Sequence, residues 1–376
     1  MRIADRDGTW QGELRPIRAV IRQEINGEYS AEIELAERSD FFVRDAIVEL
    51  PDANGTMQLF RLESPTTTLD TVTAFAWHIS QDLAHDQIVN RGWESRTGAY
   101  VWPELITAGI EPARFSGTSD ISTVNSLRIV RQSVLAAAIG DRDNSFVNRF
   151  GGELRRENYT VDCLTRIGRQ TGYRIEYRKN LLGFEASADD SELVNRVIPT
   201  YLNASEAAMT LPETYIDSPR ISATAIPHSR AIYFSEIQVG REDDDGYVAY
   251  PNDADAQQAV RDAVQAMWDA GADMPAVSVK VSFLELRNTR EYAEYRELET
   301  LELGDSVDLL YEQWTIRERM IAYVWDALEK EYTEIMLGVL QPSMDALTAR
   351  IQTEASNAAE DAVKSAFVPS TVKAMA

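Results

Sequence analysis

Asn144 to Gly183 reads NSFVNRFGGELRRENYTVDCLTRIGRQTGYRIEYRKNLLG, and the folding pattern of the chain turns on how this stretch is read. The Gly151-Gly152 pair can adopt positive φ at little cost, so it predicts a reversal between two short strands. Past Asn158, Tyr159, Val161 and Cys163 alternate with Thr160 and Asp162, the period-2 mark of a half-buried strand. A second reversal falls at Thr171-Gly172. Tyr173, Ile175 and Tyr177 then alternate with Arg174, Glu176 and Arg178, so one face is apolar and the other charged. The expected object is an antiparallel meander.

Its charge runs against that of the whole. Arg149 to Lys179 holds eight basic residues against four acidic ones, a net of +4, in a chain of net charge -24, so the remainder carries -28. Glu242 to Asp305 holds sixteen acidic residues against five basic, a net of -11. A basic face inside an acidic protein is placed to meet acidic surface, in its own chain or in a neighbour. A solvated face without a partner is the alternative. On the first reading Arg155, Arg156, Arg174 and Arg178 are candidate subunit contacts.

The stretch resembles the prophage endopeptidase tail family, hub proteins of long-tailed phages. The matching residues are Arg149, Phe150, Gly151, Gly152, Glu153, Tyr159, Gly168, Gly172, Ile175, Tyr177, Lys179 and Asn180. Three more segments are similar to the family's in the same order: Ile25–Leu35 (INGEYSAEIEL), Trp77–Val89 (WHISQDLAHDQIV) and Leu301–Gly338. After Asn180 the likeness loosens, because Asn195 to Pro199 stands where the family has a more regular segment. The resemblance implies a tail-tip or baseplate hub, a homotrimer that presents six similar barrels to a six-fold tail tube. In the family the cell-wall-cleaving activity, where present, belongs to a separate domain placed after the hub region.

Composition sets outer limits. With 376 residues, 44% hydrophobic and 26% charged, the chain is globular and long enough for two to four domains. It has no apolar run of the length a membrane helix needs, and MRIADRDGTW lacks the apolar core of a signal peptide. Assembly in a host cytoplasm is therefore expected, and one cysteine excludes an intrachain disulfide. Net charge -24 is the wrong sign for a sequence-specific reader of duplex DNA. It suits an electronegative channel through which DNA passes without sticking, and it equally suits simple solubility.

Outward from the central stretch, the predicted fold class is α+β, predominantly antiparallel β: two barrel-like β domains flanking an α+β module, plus a C-terminal helix. Residues 1–91 form the first β domain, with Val20, Ile33, Leu35, Val48, Leu50, Leu59 and Leu62 in alternating runs and Asn54-Gly55 as a type I′ hairpin signal. A helix is expected around Ser80 to Val89. Residues 92–192 form the α+β module, whose amphipathic helix spans Asn125 to Ile139. Residues 193–341 form the second β domain, on Ala231–Phe234, Val277–Phe283, Val307, Leu309, Ile316, Met320, Val324 and Met336, interrupted by the acidic run Arg241–Gly246 and a helix over Ala254 to Ala270. Residues 342–376 continue as helix and tail, where Leu347, Ile351, Ala355, Ala358 and Ala362 make a narrow stripe for a symmetry partner or for docking on the chain's own domain.

Candidate chemistry is sparse. Cys163 sits on the inward face of a predicted strand, as a core residue does. His78 and His85 lie seven apart with Asp82 between them, on one side of the expected helix, but zinc usually needs a further ligand, and no HExxH or paired CxxC stands in the sequence. No GxSxG elbow, P-loop or GxGxxG occurs. No catalytic residue, metal or cofactor is assigned. The expected protein is a virion component at the tail tip, trimeric, in contact with distal tail and tail-tube proteins and a downstream fibre or spike, with the tape measure protein as a further candidate. The alternatives are a tail-associated cell-wall-degrading endopeptidase and a receptor-binding tail protein.

Overall fold

A computed structural model describes residues 1–111, 113–140, 144–242, 248–283, 301–311, 314–338 and 351. The described residues form two compact units, one of residues 1–111, 113–140, 144–188, 277–283, 301–311 and 314–338, the other built on residues 189–242 and 248–276 with Ile351.

The first unit is organised by one long sheet. Its central path runs from Leu181–Asp189 through Ala276–Phe283, Glu331–Gly338, Trp314–Asp326, Pro16–Glu24, Tyr29–Leu35, Val72–His78, Met57–Leu62 and Ile47–Pro51 to Arg2–Ala4 and Trp10–Glu13. Strands from both ends of the sequence thus meet where Ala322–Asp326 pairs antiparallel with Val20–Glu24. Trp314–Asp326 is long enough to pair on its other flank with Ser306–Tyr311, which in turn pairs parallel with Tyr173–Glu176. The C-terminal strands therefore run in the order Leu181–Asp189, Ala276–Phe283, Glu331–Gly338, Trp314–Asp326, Ser306–Tyr311, Tyr173–Glu176. The turn at Tyr177 to Asn180 joins the two ends without a ladder between them. The sheet is open rather than a closed barrel.

Alternation along these strands buries one face in a common core. Ile21, Ile33, Val48, Leu50, Phe60 and Ala76 from the N-terminal strands share it with Val281, Val307, Leu309, Met320, Ile335 and Leu337. The fold is α+β and predominantly antiparallel, as expected. The Pro51–Met57 hairpin differs in detail: of Asn54 and Gly55 only Gly55 takes positive φ, at 81°, so the turn is not type I′. Asp52 Oδ1 instead accepts from the N–H groups of Asn54 and Thr56 at 2.9 Å each, an Asx-type turn.

A second core lies under helices Gly98–Ile106, Val134–Ile139 and Phe146–Phe150, with Trp102, Ile129, Phe146, Val161 and Cys163 fully or nearly buried. Three expectations change here. Asn125 to Ile139 is strand over Val124–Ser133 and helix only over Val134–Ile139. Its apolar residues fit both periods over so short a run, and pairing with Gln87–Thr97 decides for strand. Ser80 to Val89 is a 3-10 turn over Ile79–Ala84 followed by that strand. The meander is a single hairpin, Glu153–Glu157 with Thr160–Leu164, preceded by a helix rather than a strand, and Tyr173–Glu176 leaves it for the large sheet.

The second unit packs Arg196–Leu202 between Ser229–Gln238, Ala208–Thr210 and Ile216–Asp217 against the helix Asp253–Asp269. The helix was expected at nearly these bounds. Asn252 caps it, its Oδ1 accepting from Asp255 N–H at 3.0 Å. Ala231 to Phe234, assigned from sequence to the same barrel as Val277–Phe283, belongs to this separate four-stranded sheet.

Close backbone contact fixes the Gly168 turn. A Cβ there would lie 2.0 Å from the Gly304 carbonyl carbon, at φ 77°. Gly172 has φ 68° but open space around it. Gly168→Ala is expected to destabilise the protein by several kcal/mol in urea unfolding, whereas Gly172→Ala should cost only about 1 kcal/mol, the conformational term alone. Equal losses at both positions would contradict the packing described.

Candidate functional site

The segments that carry the family resemblance meet in space. Helix Phe146–Phe150 is capped by Ser145, whose Oγ accepts from Asn148 N–H, and ends at Gly151 with φ 77°. Gly152 follows at φ 106°, where a Cβ would stand 2.5 Å from Ile121 Cδ1 and 2.7 Å from Cys163 Sγ. That close approach lets the chain enter the hairpin beneath the Asn26 turn. Asn26, left-handed at φ 56°, donates from Nδ2 to the Gly152 carbonyl at 2.9 Å and accepts at Oδ1 from Leu154 N–H at 2.8 Å. Asparagine suits both demands, because it tolerates this conformation and its amide pairs like a backbone group.

The hairpin tip is fastened in the same way. Asn158, also left-handed at φ 51°, accepts from Leu59 N–H at 2.8 Å and donates from Nδ2 to the Met57 carbonyl at 3.0 Å. Its own N–H donates to Gln58 Oε1 at 3.0 Å. Gln58 Nε2 donates to Asp52 Oδ2 at 2.9 Å, and His78 Nε2 lies 3.2 Å from Gln58 Oε1. His78 is sandwiched against Tyr29 with ring centroids 4.1 Å apart, and its Nδ1 accepts from Ser80 N–H at 3.3 Å. The Nε2–H tautomer satisfies this set, and burial holds the ring well below the ordinary histidine value.

Two arginines complete the clasp. Arg156 is buried, its guanidinium donating to the carbonyls of Gly27 and Glu24 at 2.9 Å each and of Glu28 at 3.4 Å. It lies 5.2 Å over the Tyr29 ring. Burial pushes its pKa down to about 10, still charged at neutral pH. Arg319 forms a two-pronged ion pair with Glu153 at 2.6 and 2.7 Å and also donates to the carbonyls of Ile167 at 3.0 Å and Gly304 at 3.1 Å. Glu153 Oε2 in turn accepts from Ile167 N–H at 2.8 Å. Asp305, with no solvent exposure, accepts from the backbone N–H of Arg169 at 2.6 Å and of Glu302 at 3.0 Å. A guanidinium nitrogen of Arg169 lies 3.2 Å from Asp305 and 3.0 Å from Glu302. Part of the basic stretch thus finds its acidic counterpart within the chain.

The four arginines singled out from sequence diverge. Arg155 pairs across its own hairpin with Asp162 at 2.7 Å, and Arg156 faces the chain's interior. Arg174 is exposed on Tyr173–Glu176 opposite Asp308, and Arg178 is exposed in the following turn, 5.3 Å over the Tyr177 ring. Of the C-terminal stripe, Ile351 is helical and buried in the second unit's core; Leu347, Ala355, Ala358 and Ala362 lie outside the described residues. The clasp residues Asn26, Asn158, Asp305 and Arg319 were not singled out. Asn26-Gly27 between two apolar runs was the one signal within reach.

Among the described residues no group of three metal-ligating side chains is assembled. Asp82, placed between the two histidines in sequence, is held by Arg61 at 2.7 and 2.8 Å. Cys163 is buried in the second core, and its thiol pKa is pushed far up by desolvation.

Residues 169–348 match the prophage endopeptidase tail family. Solved structures share the fold: a prophage tail protein from Listeria monocytogenes at 16% identity and TM-score 0.54, covering 94% of this chain and 98% of that one; a tail protein from Neisseria meningitidis at 10% identity and TM-score 0.57, covering 93% and 99%; and a 43 kDa tail protein of a Shewanella oneidensis prophage at 10% identity and TM-score 0.53, covering 92% and 98%. The comparison with curated proteins returns no match. The family match, which covers just under half of the chain, and the shared fold both agree with the resemblance read from the sequence.

Two measurements test the clasp. Arg156→Met removes a charged donor from the carbonyls of Glu24, Gly27 and Glu28 and should cost on the order of 2 kcal/mol in urea unfolding. The His78 ring stays neutral in the fold, so below pH 6.5 the unfolded chain takes up a proton that the folded chain refuses, and stability falls with pH. His78→Asn should flatten this part of the stability profile between pH 6.5 and 5; an unchanged slope would show that His78 is not the group responsible.

Proposed function

We propose that the protein is the structural hub of a phage tail tip, a homotrimeric ring that joins a six-fold tail tube to three-fold distal parts and surrounds the DNA channel. The match of residues 169–348 to the prophage endopeptidase tail family carries this reading. The open antiparallel sheet supports it: strands from both ends of the chain share one core, which suits a rigid ring segment better than a hinged catalytic cleft. Net charge -24 suits a channel wall that duplex DNA does not adhere to. The titratable groups support a structural role rather than an enzymatic one, since the single thiol is buried and His78 is locked neutral between Tyr29 and Gln58. Its partners would be distal tail and tail-tube proteins, a downstream fibre or spike, and the tape measure protein, in a virion assembled in the host cytoplasm.

Solution mass with negative-stain imaging tests this. The expected result is a species of three 42.2 kDa chains forming a ring with a central opening, alone or beside its tail partners. A chain that stays monomeric even with those partners contradicts it, and cell-wall cleavage by the purified protein would favour the endopeptidase reading. Arg174 and Arg178 remain candidate contacts on this account. Arg174→Glu/Arg178→Glu should weaken ring formation at least tenfold while leaving the thermal unfolding midpoint unchanged.

A further inference from the structure

The ribbon of Gln87–Thr97 and Val124–Ser133 is a second basic element, distinct from the stretch that drew attention in the sequence. It is an isolated antiparallel pair, each strand having the other as its only ladder partner. One face covers the helical core with Trp93, Leu127 and Ile129. Arg91, Arg96, Arg128 and Arg131 are exposed, Arg91 standing across the ladder from Ile129 and Arg128 across from Gly92, with Glu94 the one carboxylate in the ribbon. Arg96 rests 5.2 Å over the Tyr100 ring. None of the four guanidinium groups comes within ion-pair distance of a carboxylate among the described residues; Glu104 on the adjoining helix, held below the ordinary carboxylate value first by its bond from Trp93, also feels the charges of Arg91 and Arg96. Four exposed arginines against one carboxylate in the ribbon, in a chain of net charge -24, make the ribbon a cationic element suited to an acidic partner.

The chain itself offers such a surface. Helix Asp253–Asp269 buries Ala256, Val260, Ala263, Val264, Met267 and Trp268 and leaves Asp253, Asp255, Asp262 and Asp269 exposed. Its single cation, Arg261, is already bound to Glu213 at 2.7 Å. The dimensions agree: a helix of this length spans about 25 Å, and a ribbon of ten or eleven residues spans about 33 Å.

We propose that the arginine ribbon docks on the aspartate face of the Asp253–Asp269 helix in a second copy of this chain. The inference rests on the self-assembly proposed above and assigns it a specific contact. A charged contact of this kind sets subunit choice and association rate, and it weakens as salt rises.

Two reversals test it in the full chain, Arg91→Glu/Arg128→Glu/Arg131→Glu on the ribbon and Asp262→Lys/Asp269→Lys on the helix, read by sedimentation at about 0.05 and about 0.5 M salt. Each alone should weaken self-association at least tenfold at low salt, with less effect at high salt. Mixing the two reversed chains under different tags should restore their co-purification, because each then offers the other a complementary surface. A neutral variant, Arg91→Gln/Arg128→Gln/Arg131→Gln, should show a smaller loss in the same direction and covers the case in which the glutamate variant fails to fold. Association unchanged in all variants, or no recovery on mixing, overturns the contact while leaving trimer formation intact. A wild-type chain that stays monomeric overturns both. Binding of a labelled DNA duplex that is lost in the ribbon variants, with association unchanged, would also overturn it.

Discussion

The partly buried, two-pronged ion pair between Glu153 and Arg319 joins parts of the chain 166 residues apart, and much of the first unit's arrangement depends on it. Removing one partner leaves the other charge partly desolvated, at a cost below the roughly 3–5 kcal/mol of a fully buried pair, so each residue constrains the other's position. Through Glu153 the pair places the hairpin, and through the carbonyls of Ile167 and Gly304 it places the turn that feeds Tyr173–Glu176 into the large sheet. Gly168 and Gly304 let those two turns touch at backbone distance. Any side chain at either point would have to push the clasp open.

Arg156 and Asn26 do for the N-terminal strands what Arg319 does for the C-terminal ones. Both bind main-chain groups, across gaps of more than 120 residues. Main-chain acceptors give position without a second titrating partner, so this side of the clasp is insensitive to ordinary pH. His78 is the exception, because its neutrality is a condition of the packing around Tyr29. The result is a frame in which first and last strands share a core, as a ring segment requires.

Much of this was legible locally. Val161 and Cys163 face inward as their alternation indicates, and the helix at Asp253–Asp269 shows its apolar stripe and its asparagine cap in sequence. Asp162 broke the pattern: it is buried because it accepts from Thr118 and pairs with Arg155, which no two-residue period reveals. Val124–Ser133 satisfied helix and strand periods alike, and a partner strand decided it. The parallel pairing of Tyr173–Glu176 with Ser306–Tyr311 joins residues more than 130 apart and leaves no local trace. Net charge pointed to the Arg149–Lys179 stretch, yet Arg155, Arg156 and Arg169 are engaged within the chain, and four further exposed arginines lie on a ribbon of which one strand, Val124–Ser133, was expected as helix.

Hydrogen exchange under native conditions tests most directly the claim that the hairpin and the large sheet form one frame through the clasp. If they do, the amides of Leu154, Val161 and Ile167 should exchange only through global unfolding, with the same free energy as those of Ile33 and Leu309. Exchange of the hairpin amides through a local opening several kcal/mol below that of the sheet would contradict the account.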